Sequence, residues 1–130
     1  RVSYAVCGWT ACDKRTHLIT GSNSGIGIET ARVLALRGAH VIAAARTEAK
    51  ARTALAAIKH DGTPSLQLSD PAGVRQAIDT LKRSGRPLDG IIANAGVMAL
   101  PELTALHGIE LQYLANHIGH FILITGLLDR

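Results

Sequence analysis

The stretch LITGSNSGIGIETARVLALRG, Leu18 to Gly38, begins with an apolar run and ends with the spacing of an amphipathic helix. Between these parts, Gly21, Gly25 and Gly27 fall within seven residues. Glycine adopts the left-handed backbone of tight turns and lets other groups approach the main chain closely. The stretch therefore predicts a strand, a glycine-rich turn and a helix whose N-terminus can bind an anion.

Each glycine of this turn has its own predicted role. Gly21 permits a tight turn out of the strand, Gly25 lets the backbone approach a ligand, and Gly27 lets the helix pack closely on the sheet. The spacing Gly-x-x-x-Gly-x-Gly differs from the commoner GxGxxG and from a P-loop. The alternative is an ordinary glycine-rich loop, but its place between a strand and a helix favours a pyrophosphate cradle. The predicted cradle comprises Gly21, Ser22, Asn23, Ser24, Gly25, Ile26 and Gly27.

Strand-like and helix-like segments alternate along the rest of the chain. Strands are predicted at 17–20, 40–45, 65–68 and 90–93, and helices at 25–37, 48–59, 72–83 and 108–128. Asp70 and Pro71 supply a cap and a first-turn proline for the third helix. This order predicts an α/β fold, a Rossmann-type doubly wound parallel sheet of about four strands with helices on both faces.

Composition excludes several classes of function. The 130 residues are 47% hydrophobic and 18% charged, which suits a packed core. The 14 basic residues are scattered and only 3% of residues are aromatic, so no nucleic-acid surface is expected. No apolar run reaches the ~18 residues of a membrane span. Cys7 and Cys12 fit neither a CxxC nor a zinc-finger pattern. Both cysteines are therefore expected to be free thiols, and no signal peptide is visible, so the sequence predicts a cytoplasmic protein.

Three motifs, in order, resemble those of the short-chain dehydrogenase/reductase family, in particular its retinol-dehydrogenase-like members. Residues 20–27 resemble the TGxxxGxG motif, and Asn94-Ala95-Gly96 resembles the NAG motif after the fourth strand. Residues 108–110, followed by 116–121, resemble the helix of the fifth segment. The resemblance covers residues 16–130, the N-terminal half of such an enzyme, and divides the chain into an irregular segment, 1–16, and a dinucleotide-binding domain, 17–130.

The resemblance implies an oxidoreductase that transfers hydride between a nicotinamide cofactor and a small carbonyl or alcohol substrate. It implies that Asn94 ties neighbouring strands and that Ala95 and Gly96 keep the cofactor edge free of side chains; the alternative is a plain turn. Asn116 would be a catalytic residue that holds a water in the proton relay. Without the family context, a mid-helix asparagine is more often a satisfied polar residue.

The end of the second predicted strand bears on the choice of cofactor. An NAD enzyme usually places Asp or Glu here for the ribose 2′-OH, whereas this chain has Arg46, nineteen residues after Gly27. A guanidinium suits a 2′-phosphate, with added hydrogen bonds from Ser22 and Asn23, so NADP is favoured over NAD. The alternative is a solvent-exposed arginine that opens the next helix. Gln67-Leu68 stands where the family commonly has Asp and an aliphatic residue that contact adenine.

The family's catalytic Ser and Tyr-x-x-x-Lys have no counterpart in this sequence. Tyr4 and Tyr113 are followed four residues later by Gly8 and His117. The sequence stops within a helical pattern, so we expect a fragment truncated at its C-terminus that is inactive alone and associates with itself as a homo-oligomer. The interpretation as the cofactor-binding half of an oxidoreductase has two alternatives, a non-catalytic dinucleotide-binding or interaction module and an inactive fragment that belongs to no working enzyme. His117 and His120 have no carboxylate partner at metal-binding spacing, so a packing role is favoured and no metal is expected.

Overall fold

The centre of the fold is a three-stranded parallel sheet. The computed structural model describes residues 12–58, 60–62 and 64–128. Strands β1 (Thr16–Thr20), β2 (His40–Ala44) and β3 (Gly90–Ile92) lie in the order β2-β1-β3. The predicted α/β class with a parallel sheet is confirmed. Of the predicted irregular segment 1–16, residues 1–11 lie outside the described residues, and Thr16 already belongs to β1.

Helices cover both faces of this sheet, as the sequence predicts. They are α1 (Gly25–Leu36), α2 (Glu48–Ala54) and α3 (Pro71–Arg83). Successive β1 residues point to opposite faces: Ile19 packs in the core under α1 and α2, and Leu18 in the core under α3. Both faces of β1 are therefore covered, as is usual for a strand of a parallel sheet with helices on both sides.

A long helix closes the second face. It consists of α4 (Leu111–Tyr113), a π-helical segment (Leu114–Ile118) and α5 (Gly119–Leu127), and α5 packs against α3. The predicted helix at 108–128 therefore begins three residues late. Its first residues form a small hairpin of β4 (Ala105–Leu106) and β5 (Ile109–Glu110), in which Gly108 has a φ of 74°. A positive φ favours glycine in the turn, which explains the difference.

The predicted third strand at 65–68 is wrong as a strand. Residues 61–62 and 64–66 lie beside β2, but the pairing is reduced to two isolated parallel bridges, Ile42 to Gly62 and Ala45 to Ser65. Pro64 lies between the bridges and has no N–H to donate, so it interrupts the ladder. Leu68 and the residue after it then turn toward α3 instead of extending. The order of the segments, with 61–62 and 64–66 outside β2, still follows the doubly wound plan.

The sequence spacing predicts that Ile26 and Leu36 lie on the apolar side of α1 and that Leu114 lies on an exposed face of the long helix, but the structure differs at all three. Ile26 and Leu36 of α1 are 79% and 69% exposed, because Gly27 and Ala31 form its buried face. Leu114 is fully buried. The π-helical segment shifts the phase of the helix at this residue, which a regular period cannot anticipate. Within the described residues, no helix is both long and apolar enough to cross a membrane.

The start of α3 confirms its predicted cap. The Asp70 carboxylate accepts a hydrogen bond of 3.1 Å from the backbone N–H of Ala72, and Pro71 occupies the first turn. The carboxylate satisfies one of the free N–H groups at the helix start and also interacts favourably with the helix dipole.

Replacing Asp70 by alanine should lower the free energy of unfolding by about 1 kcal/mol, since the N-cap hydrogen bond is lost. Urea denaturation followed by circular dichroism measures this change. The control is Asp79→Ala, which removes the same charge from an exposed position of the same helix. Equal losses in both variants would show that net charge, not the cap, sets the effect.

Candidate functional site

A cleft of about 720 Å³ opens at the carboxyl ends of β1 and β3. The chain leaves β1 toward β2 on one side and returns to β3 on the other, so this is the point where the strand order reverses. Such switch points are where open α/β sheets bind ligands. Of the predicted site residues, the cleft is lined by Gly21, Asn23, Ser24, Ile26, Arg46, Gln67, Leu68, Asn94, Ala95, Gly96 and Asn116. Ser22, Gly25 and Gly27 do not line it.

The glycine turn brings backbone groups into close contact where no side chain fits. Gly21 has a φ of 69°, and a Cβ added there would lie 2.8 Å from the Cα of Ala95. A Cβ at Gly27 would meet the carbonyl oxygen of Gly21 and would lie 2.6 Å from Nδ2 of Asn94. The predicted close packing of α1 at Gly27 therefore has a definite cause: α1, the turn and the segment after β3 meet at this point.

The start of α1 leaves backbone donors available. Ser24 is its N-cap residue but makes no side-chain cap hydrogen bond, and Gly25 has a φ of 54° with open space around it. The first N–H groups of a helix lack partners within the helix and carry the positive end of its dipole. Ser24 and Asn23 lie on the cleft wall beside these groups. This end of the cleft can therefore bind an anion.

Ser22 is a correction to the predicted cradle. Its side chain is fully buried, and its hydroxyl donates a 2.8 Å hydrogen bond to the carbonyl oxygen of Ile19. Its backbone N–H donates to the carbonyl oxygen of Ala44 at the end of β2. The hydroxyl thus stabilises the turn and does not face a phosphate, since its proton is already used inside the fold.

Thr20, at the end of β1, links the walls of the cleft. It is fully buried, and its Oγ1 accepts hydrogen bonds from the backbone N–H groups of Asn94 (3.0 Å) and Ala95 (2.9 Å). The same oxygen lies 2.9 Å from Nε2 of His120. From the sequence, Thr20 is only the first residue of the TGxxxGxG-like motif, and this role is not predicted. The available signal is a hydroxyl directly after the apolar pair Leu18-Ile19, where a buried polar group needs partners.

The side chains of the two predicted asparagines each form hydrogen bonds to the backbone of another segment. Nδ2 of Asn94 donates to the carbonyl oxygen of Thr20 at 3.0 Å, which ties β3 to β1 as predicted. Asn116 pairs with the backbone of Val97 in both directions, accepting at Oδ1 and donating at Nδ2, each at 2.8 Å. The Asn116 amide therefore fixes the segment after the NAG residues against the π-helical segment.

The end of the cleft beside Arg46 carries a single charge among the lining residues described. Arg46 is exposed, and no carboxylate of the described residues pairs with its guanidinium. Gln67 is also exposed, and its Nε2 lies 3.4 Å from the hydroxyl of Ser69, while Leu68 is buried. Because the other lining residues are neutral, the potential in the cleft is positive near Arg46.

The two histidines of the long helix differ in their contacts. His117 is exposed and stacks on the ring of Tyr113 with centroids 5.1 Å apart. His120 is buried and lies between Thr20 and the carbonyl oxygen of Asn116, which is 2.9 Å from Nδ1. Among the described residues, no group of three potential metal ligands lies together.

The helix that carries these residues begins at a carboxylate cap. Hydrogen bonds from the backbone N–H groups of Gln112 and Tyr113 hold the pKa of Glu110 below its ordinary value. The cap is therefore charged at neutral pH. Its contribution to stability is present above the ordinary pKa of a glutamate and is lost as the pH falls through the lowered value.

A match to one protein family extends over nearly the whole chain: residues 15–129 fit the model for short chain dehydrogenases. The chain belongs to this family. Among curated short-chain dehydrogenases and related oxidoreductases, it is 44% identical over 121 residues to "Short-chain dehydrogenase TIC 32 B, chloroplastic" of Brassica napus. It is 40% identical over 119 residues to "Retinol dehydrogenase 12" of Mus musculus. The alignments take in 88% and 87% of this chain but 38% of each relative, so the chain spans about two fifths of their length.

Solved structures give the same assignment of the short-chain dehydrogenase fold. An uncharacterised protein from Mycobacterium paratuberculosis superimposes with a TM-score of 0.79 at 42% identity, covering 91% of this chain and 43% of that one. A protein of Escherichia coli CFT073, described as a short chain dehydrogenase and solved in complex with NADPH, gives a TM-score of 0.78 at 25% identity. That superposition covers 94% of this chain and 55% of the other.

Replacing Gly27 by valine should destabilise this short-chain dehydrogenase domain by about 1–3 kcal/mol or more, because a branched side chain overpacks a site with no room for one carbon. Thermal unfolding measures the loss. Gly62→Val is the matched control, since nothing lies within 4 Å of a Cβ there. An unchanged melting temperature for the Gly27 variant would show that the turn and α1 can separate freely.

Proposed function

We propose that this chain forms the dinucleotide-binding part of an NADP-preferring short-chain dehydrogenase/reductase. The proposed enzyme transfers hydride between the nicotinamide and a small carbonyl or alcohol substrate. The observation that carries the proposal is the cleft at the carboxyl ends of β1 and β3, where a backbone-lined turn, uncapped helix N–H groups and a guanidinium lie together. This set of donors suits a molecule with two phosphate positions and a flat apolar base.

The glycine turn supports a pyrophosphate at the start of α1. Gly21 and Gly27 leave no side chain between the turn and the helix, and Gly25 has an open approach to solvent. A diphosphate placed against the first turn of α1 would receive backbone hydrogen bonds without displacing a side-chain cap, because Ser24 makes none. Asn23 and Ser24 can add polar contacts from the cleft wall.

The preference for NADP rests on charge. A ribose 2′-phosphate needs a cationic partner, and Arg46 supplies one with no competing carboxylate among the described residues. An enzyme that selects NAD commonly places a carboxylate near the ribose, and Ala45, before Arg46, is small, apolar and buried. The exposed Gln67 amide and the buried Leu68 side chain would meet the adenine.

The residues after β3 line the part of the cleft that would receive the nicotinamide. Asn94 holds the turn onto β1, and Ala95 and Gly96 present backbone and a methyl group to the cleft. When bound, the nicotinamide supplies the hydride chemistry, and this chain supplies binding and orientation. Asn116 is proposed to serve the proton relay of the whole enzyme by fixing the backbone of Val97 beside the cleft.

Arg46→Asp should weaken NADPH binding by about 1.5–3 kcal/mol, the usual contribution of a hydrogen bond to a charged group, with a much smaller effect on NADH. Calorimetric titration with both dinucleotides measures the difference. Arg37→Asp makes the same charge change at the opposite end of α1 and should alter neither affinity. Equal losses for NADPH and NADH in the Arg46 variant would contradict the 2′-phosphate assignment.

The purified chain should bind NADPH without oxidising it in the presence of aldehydes or ketones. The sequence contains no Tyr-x-x-x-Lys, so the proton donor that the family uses is not supplied by these residues. Absorbance of NADPH during incubation with a panel of carbonyl compounds tests turnover, and fluorescence tests binding. Turnover would show that residues present here act as the proton donor, and absence of binding would overturn the proposed function.

A further inference from the structure

We propose that His120 is a positioning residue whose neutral Nδ1–H tautomer fixes the Thr20 hydroxyl and, through it, the turn that begins with Asn94. The long helix is thereby coupled to the turn at Asn94 by a chain of hydrogen bonds in which every donor and every acceptor is defined. The inference rests on the proposed function only where its test measures dinucleotide binding.

The hydrogen bonds around Thr20 determine where its proton lies. A hydroxyl oxygen has two lone pairs, and both accept backbone N–H groups, from Asn94 at 3.0 Å and Ala95 at 2.9 Å. The hydroxyl proton must then go to Nε2 of His120 at 2.9 Å or to the carbonyl oxygen of Ile92 at 3.5 Å. The shorter contact is the stronger hydrogen bond, so Nε2 of His120 accepts.

The other side of the imidazole leads independently to the same tautomer. Nδ1 of His120 lies 2.9 Å from the carbonyl oxygen of Asn116, a group that can only accept. Nδ1 must therefore carry a proton. A neutral ring with a proton on Nδ1 has a bare Nε2, as the Thr20 hydroxyl requires. An Nε2–H tautomer would place two acceptors against each other at Asn116 and a third donor on Thr20.

Because Thr20 and His120 are buried, losing one of these hydrogen-bond partners is costly. His120 is 6% exposed and Thr20 is fully buried, so water cannot easily replace a lost partner. An unpaired buried hydroxyl or imidazole nitrogen carries a desolvation cost that the paired group avoids. Removing Nε2 would free the Thr20 hydroxyl to rotate toward Ile92, and the two N–H groups held by its oxygen would lose their fixed acceptor.

The tautomer can be measured directly by ¹⁵N NMR of the imidazole in the intact chain at neutral pH. Long-range correlation from the ring protons distinguishes a protonated from an unprotonated nitrogen. We expect an unprotonated Nε2 and a protonated Nδ1 for His120. An Nε2–H tautomer or an imidazolium would overturn the proposal, whatever the chain binds.

Two substitutions separate the roles of the ring nitrogens. Glutamine places an amide oxygen near the Nε2 position, whereas asparagine reaches only the Nδ1 position. NADPH affinity should stay within about 3-fold for His120→Gln and fall about 5- to 10-fold for His120→Asn, as loss of one net hydrogen bond predicts. His117→Gln, on the same helix but exposed, is the control and should leave the affinity unchanged.

The outcomes distinguish this inference from the proposed function. Equal losses in the Gln and Asn variants, or a loss in the His117 variant as large as that in His120→Asn, would overturn the role of Nε2. If the unmodified chain fails to bind NADPH, the proposed function is wrong, and the NMR measurement alone decides the tautomer. Melting temperatures show which variants fold, and the measurement on the unmodified chain needs none of them.

Discussion

One buried oxygen, Oγ1 of Thr20, is the point on which the cleft depends. It accepts two backbone N–H groups from the segment after β3 and contacts a side chain of the long helix. Elements separated by 75 and 100 residues in the chain therefore meet at one atom. Because the oxygen is inaccessible to water, each partner needs it, and the relative positions of β1, β3 and the long helix are fixed together.

Local signals in the sequence were sufficient for the strand–turn–helix unit and the first cap of α3. The glycine spacing, the apolar run of β1 and the Asp70-Pro71 pair each act over a few residues, so they can be read without knowing the fold. The close approach at Gly27 also follows from residue type, because no other residue leaves that space.

Features that depend on distant partners could not be predicted in this way. Residues 65–68 have strand composition, but Pro64 interrupts the ladder with β2 and the segment turns instead. The motif predicts that the hydroxyl of Ser22 contacts a phosphate, but in the fold this hydroxyl donates to the backbone carbonyl oxygen of Ile19. Likewise, His120 has no sequence neighbour that reveals its role, since its partner Thr20 is a hundred residues away.

The π-helical segment has a consequence for how the two ends of the long helix are oriented relative to each other. The backbone N–H of Gly119 bonds to the carbonyl oxygen of Leu114, five residues back, which adds one residue to that turn. If the same residues were wound as a regular helix, everything after this turn would rotate by roughly 100° about the axis. Leu123 and Leu127, now buried against α3, would swing away from the core, and His120 away from Thr20. The number of residues in this turn, independently of their identity, therefore aligns one end of the helix with the core while the other end aligns with the cleft.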